Sequence, residues 1–119
     1  MKVYLDNCCY NRLFDDRSKI KNYLEREAIL IIMQKAFEKE LRVVGSDILE
    51  IEMPKIKNDE KRSDVKGVYS ALVTDTITII PEVEKRAIQI RNISNIKAFD
   101  SLHLASAEMG AEYFIDYGY

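Results

Sequence analysis

Carboxylates recur at the places where this chain changes direction. Asp6 closes the apolar run "KVYLD", and Asp116 closes "EYFID". Glu50 and Glu52 follow "RVVGSD" by a few residues, and Asp100 lies in the first or second turn of the helix-like stretch "NIKAFDSLHLASAEMG". Gathered at one rim, such groups repel one another and lose hydration. A divalent cation removes that penalty, and an oxygen-rich site suits Mg²⁺ or Mn²⁺. An ion of this kind activates water and steadies charge on a phosphate during displacement. Each acid also has a plain structural reading. Asp6 alone can cap a turn, and Asp100 alone is a favourable anion in a first helical turn. With 20 acids in the chain, chance alone puts some near strand ends, so the chemistry depends on whether the fold gathers them.

Glu50 and Glu52 cannot both face such a site. Two positions along a helix amount to a rotation of about 200°. Ile48, Ile51 and Met53 leave no clean apolar stripe to choose between them. His103, the only histidine, falls one turn after Asp100. It is either a metal ligand or proton shuttle, or a group that hydrogen-bonds backbone or a carboxylate and positions the helix. Imidazole is a poor partner for Mg²⁺, which favours the second role.

The elements that must position these residues follow from patterning. "KVYLDN" reads as a first strand, and "CCYNRLFDDRSK" as a polar, turn-prone connection. "NYLEREAILIIMQKAFEKEL" is the strongest helix. "RVVGSD" is a short strand, and "SDILEIEMPKIK" a helix capped by Ser46 or Asp47 and ended or kinked at Pro54. "DEKRSDVKGVYSALVT" is a further helix. "TITII" alternates as a strand that Pro81 stops. "EVEKRAIQIRN" and the Asp100 helix follow, the latter closed by Gly110 as its C-terminal cap. "AEYFID" is the last strand. Strands and helices in this order imply an α/β domain with a parallel sheet and helices on both faces. In such sheets, sites lie at the carboxyl ends of the strands.

Composition narrows the classes. The 119 residues suit one domain, spanning 1–119, and 47% hydrophobic content suffices for a core. A net charge of −2 offers no global attraction to nucleic acid, so such binding must rest on a local patch. Lys55, Lys57, Lys61, Arg62 and Lys66 form one stretch, interrupted by Asp59, Glu60 and Asp64. It reads as a solvated helix face or as a rail for phosphates. Arg12 and Lys55 stand nearest the acids in sequence. Tyr4, Tyr10 and Tyr69 could stack on bases, although half-buried packing is the commoner use of tyrosine. Cys8 and Cys9 are adjacent and lack the further ligands of a zinc site, so they read as reduced, buried thiols of a cytosolic protein. "AILIIM" is too short to span a bilayer, so no membrane association is expected.

Three motifs carry a family likeness. "VYLDNCCYNRLFDD", "VVGSDILEIEMPK" and "IKAFDSLHLASAEMGAEYFI" resemble the motifs of the PIN-domain ribonucleases, including the toxin subunits of toxin–antitoxin pairs. The first is similar to a subgroup that opens with an Asn-Cys-Cys stretch, and the last is the most specific. The likeness runs over essentially the whole chain. It implies a three-layer α/β/α sandwich and Mg²⁺- or Mn²⁺-dependent cleavage of RNA by water activated at an acidic cluster. Carried over by position, Asp6, Glu52 and Asp100 would be the catalytic, metal-binding acids. The spacing from Ser46 selects Glu52 over Glu50. Arg12 and Lys55 would contact nucleic acid, an antitoxin protein would be a partner, and the assembly would be a homodimer. The family's usual Thr/Ser-x-Asp segment after "YFI" is replaced by "FIDYGY". Asp116 is either the fourth acid displaced by about two residues, a shift of ~7 Å along a strand, or that acid is missing. The family's terminal segment is also lacking, which reads as a C-terminal truncation and keeps open a degenerate domain that binds without cutting.

Overall fold

A computed structural model describes residues 1–16 and 18–116. Four parallel strands form one sheet in the order β3-β2-β1-β4: β1 is Lys2–Leu5, β2 Arg42–Ser46, β3 Val73–Ile77 and β4 Tyr113–Ile115. Six α-helices connect them: α1 Asn7–Arg12, α2 Ile20–Phe37, α3 Asp47–Glu52, α4 Asp59–Leu72, α5 Pro81–Ser94 and α6 Ala98–Gly110. A 3₁₀ turn, Met53–Lys55, continues α3 and holds Pro54.

Register explains how the sheet is buried. Tyr4 lies beside Val44 and Phe114, while Val3 lies beside Val43 and Tyr113. Alternation therefore turns Tyr4 and Val44 to one face, and Val3, Leu5 and Val43 to the other. All five are buried, as expected of a parallel sheet covered on both sides. Helices α1, α2 and α4 pack on one another and share the main core with the strands through Tyr10, Leu13, Ile29, Val65 and Leu72. Helices α5 and α6 pair over a second cluster of Val83, Ala87, Ile90 and Ala105, and α6 meets the sheet where His103 packs edge-on to the Tyr4 ring. The α/β class with a parallel sheet is thus observed, and its covered faces fit a three-layer sandwich.

Local chemistry accounts for the helix starts. Ser46 caps α3 by accepting the Leu49 N–H at 3.2 Å, and Asn58 caps α4 by accepting that of Lys61 at 2.9 Å. Gly45, one residue before the first of these caps, lies under Tyr69, and a Cβ there would overlap the tyrosine hydroxyl.

Three elements depart from the sequence reading. Residues 7–12 are helical, not a turn-prone connection. No side chain caps α1, and burial of Cys9 and Tyr10 against the core overrides its weak local propensity. Strand β3 starts at Val73 rather than Thr76, because its ladder follows β2 and not the Thr/Ile alternation of an exposed edge. Gly110 is the last residue of α6, with Ala111 as the cap, and among the described residues no glycine has positive φ. Its value is closeness: a Cβ would stand 2.9 Å from Ile77 Cδ1. Residues 117–119 of "FIDYGY" lie outside the described residues. Among those described, no helix is long and apolar enough to cross a membrane.

Candidate metal centre

The chain runs from β1 to β2 and β3 on one side, then returns to place β4 on the other side of β1. The crevice at the carboxyl ends of strands flanking such a reversal is where open α/β sheets bind ligands. Asp6 sits at that point, immediately after β1, and its N–H donates to Ile115 O at 3.0 Å. Asp116 leaves β4 beside it. Glu52 ends α3, the helix that Ser46 starts from the end of β2. Three strand ends therefore deliver three acids to one rim.

His103 enters this rim from α6. Its Nε2 is hydrogen-bonded to Glu52 Oε1 and lies 3.2 Å from Asp6 Oδ1. Its Nδ1 is 2.6 Å from the Tyr4 hydroxyl, which is 2.7 Å from Ser46 Oγ. Burial, ahead of every other cause, pushes the Tyr4 hydroxyl far above its ordinary range, so it keeps its proton. One proton arrangement satisfies the whole chain. Ser46 O–H donates to Tyr4, Tyr4 O–H donates to His103 Nδ1, and Nε2–H donates to Glu52. Reversing the first two bonds puts the ring proton on Nδ1 and leaves an Nε2 lone pair facing the rim. A metal-ligating histidine needs that second form, with its other nitrogen held by a hydrogen-bond partner. Tyr4 serves both forms because a hydroxyl can donate or accept.

Asp6 is 9% exposed, and burial raises its carboxyl to about 6 against the opposing pull of His103. Its Oδ1 is buried and makes no hydrogen bond; the nearby Nε2–H is directed to Glu52. Its Oδ2 accepts from Cys8 Sγ at 3.5 Å, and the same sulfur lies 3.0 Å from Asp116 Oδ1. Hydrogen bonding to Cys9, burial and the adjacent Asp116 hold the Cys8 thiol well above its usual range, so it is neutral here. Two groups of potential ligand atoms share Asp6: Asp6–Glu52–His103 and Asp6–Cys8–Asp116, each within 4.8 Å. A buried carboxylate oxygen that makes no hydrogen bond and faces a second carboxylate is only partly compensated by the nearby imidazole. A divalent cation compensates it, so the donor set fits one.

The remaining sequence assignments separate. Glu52 faces the rim, whereas Glu50 accepts from Tyr69 Oη at 3.2 Å on the α4 side of α3. Asp100 is exposed in the first turn of α6 and belongs to neither ligand group. It stands one turn before His103 on the same side of the helix, a Cβ separation of about 5–6 Å by helix geometry. Arg12 is paired with Asp15 at 2.9 Å and Glu25 at 2.6 Å, joining α1 to α2. Lys61 pairs with Asp15 at 2.6 Å and Arg62 with Asp59 at 2.6 Å, so much of the basic stretch is engaged internally. Lys55 reaches over the Phe99 ring, 4.7 Å from its centroid, beside Asp100. Tyr4, Tyr10 and Tyr69 are all buried, which removes them as stacking platforms for bases; Tyr4 lies in a strand covered on both faces, and Tyr10 of α1 packs edge-on to Tyr69 of α4.

Sequence reasoning overlooked two members of the site. Tyr4 carries a usable signal, since it lies two residues before Asp6 along an extended backbone that carries on from β1, and so shares its face. Cys8 carries none, because its direction depends on the unforeseen helix α1. Neither Cys8 nor Cys9 is disulfide-bonded; Cys9 is buried, and Cys8 is half-buried at the rim. Comparison of the chain with family models, curated proteins and solved structures returns no match.

Proposed function

We propose that the chain is a PIN-type, divalent-metal-dependent endoribonuclease, with Asp6 and Glu52 as its principal cation ligands. The observation that carries this reading is the orphaned Asp6 Oδ1, buried at the reversal point of the parallel sheet and faced by Glu52. Asp116 supplies a further carboxylate just after β4, and Asp100 is exposed one turn before His103 on α6. His103 orients Glu52 through its Nε2. Lys55, exposed over the Phe99 ring, is the cation we assign to meet a phosphate, and Arg12 braces α1. When bound, Mg²⁺ or Mn²⁺ at these carboxylates supplies Lewis-acid stabilisation of charge on phosphodiester oxygens. The motif likeness extends to toxins neutralised by an antitoxin and working as homodimers, and both attributes belong to this proposal.

The test is RNA cleavage by the full chain in Mn²⁺, Mg²⁺ or EDTA. Asp6→Asn and Glu52→Gln should each abolish metal-stimulated cleavage, and Asp100→Asn, outside both ligand groups, should lower it less. Unchanged cleavage in the first two variants would sink the mechanism. A second reading, a degenerate domain that binds RNA or a protein without cutting, draws on one observation: Asp100 lies outside both convergent groups. A thermal upshift with Mn²⁺ and no cleavage of any RNA tested would select it.

A further inference from the structure

Helices α3, α5 and α6 frame an apolar groove of about 450 Å³. Its walls are Ile48 and Ile51 of α3, Ile88 of α5, Phe99 and Leu102 of α6, and Ile79 just before α5. Ile51 is 48% exposed, Ile88 59% and Phe99 41%. Contiguous exposed apolar surface marks a contact with another molecule. The charges say which. Among the described residues that line the groove, only Glu84 and Arg91 carry charge, and both are exposed on α5. Seven helical positions amount to about 700° of rotation and a rise of about 10 Å, so the two share one face, two turns apart. Neither side chain has an ion-pair or hydrogen-bonding partner among the described residues. The midpoint between them falls between Ala87 and Ile88.

We propose that this groove is the interface of a symmetric homodimer in which two copies of α5 cross antiparallel at Ala87 and Ile88. A two-fold axis there sets Glu84 of each copy level with Arg91 of the other, so both charges are paired twice over. A parallel crossing would set Glu84 against Glu84 and Arg91 against Arg91, which the charges oppose. Each Ile88 enters the other copy's groove, and the small Ala87 at the crossing lets the two helices approach. A patch that complements itself about one axis is what an isologous contact requires, whereas an unrelated partner sets no such condition on the spacing. This gives the homodimer of the proposed function its face and draws nothing from the cation site.

Sedimentation velocity of the full chain over a concentration series tests it, with thermal denaturation of each variant to confirm folding. The wild type should dimerise. Glu84→Arg and Arg91→Glu should each weaken self-association at least about tenfold, because like charges then meet across the interface, and Ile88→Asp should do so by placing an unpaired charge in the apolar groove. Combining Glu84→Arg with Arg91→Glu should restore the dimer, since the exchanged charges pair again. A wild type that stays monomeric at every concentration overturns the proposal and leaves the groove to a different protein. A dimer that survives all three single variants, or a double variant no better than the singles, overturns it as well. Asp6→Asn should remain dimeric, so loss of the cation site and loss of the dimer are read separately.

Discussion

Replacing Tyr4 by phenylalanine tests the hydrogen-bonded chain behind the acids. The tyrosine is 0% exposed, and its hydroxyl meets His103 Nδ1 at 2.6 Å and Ser46 Oγ at 2.7 Å. The ring is stacked on Phe114 with centroids 5.5 Å apart. Phenylalanine keeps that packing, so little cavity forms. The loss falls on the polar atoms. Ser46 still accepts from Leu49, but Nδ1 of a histidine only 2% exposed is left without a partner. A buried polar group stripped of its partner costs about 1–3 kcal/mol. For a domain of this size that lowers the Tm by roughly 5–10 °C. The same substitution removes the hydroxyl that holds the imidazole in place behind Glu52, and losing such an outer support of a ligand lowers metal affinity by roughly 10–100-fold. Thermal denaturation without metal and calorimetric titration with Mn²⁺ measure the two effects. A double-mutant cycle with Ser46→Ala should show coupling, because both substitutions cut one chain. Should Tyr4→Phe leave both Tm and cation affinity unchanged, His103 is not held as described.

Gly45→Ala should destabilise by about 1–3 kcal/mol in chemical denaturation, since its Cβ overlaps Tyr69 Oη and that ring is packed against Tyr10; Gly67→Ala, with open space around it, should not. Asp6 titrates at about 6 in the fold against an ordinary 3.8, so between those values the folded protein binds more protons than the unfolded chain. Stability without metal should therefore fall as pH rises from ~4 to ~6 by on the order of 2 kcal/mol, then level off. His103, Glu52, Cys8 and Asp116 face the same carboxyl, so Asp6→Asn is the comparison that isolates it, and a pH profile unchanged by that substitution would refute the assignment. Glu50→Gln should leave cation affinity as it is while Glu52→Gln lowers it, because only Glu52 reaches the rim; equal losses in calorimetry would contradict that division.

What the sequence determined by itself is mostly local. Apolar runs ending in acids marked β1 and β4, Ser46 marked the start of α3, and alternating strands and helices implied a parallel sheet, which forms. Those features depend on residues within a few positions of one another, where periodicity and capping act. The tertiary structure decided the rest. Whether the face of α6 that carries Asp100 and His103 turns to the rim depends on the rotation of the helix about its axis, and which of the two meets the acids depends on its position along it. Its residues are small or apolar on several sides, so local pattern sets no phase. Packing of His103 against Tyr4, 99 positions away in sequence, sets it. Cys8 reaches Asp116 across 108 positions only because burial of Cys9 and Tyr10 folds residues 7–12 into a helix that their own propensities do not demand. Local rules put acids at strand ends; only long-range packing determines which neighbours share that rim and how hard or soft its donors are.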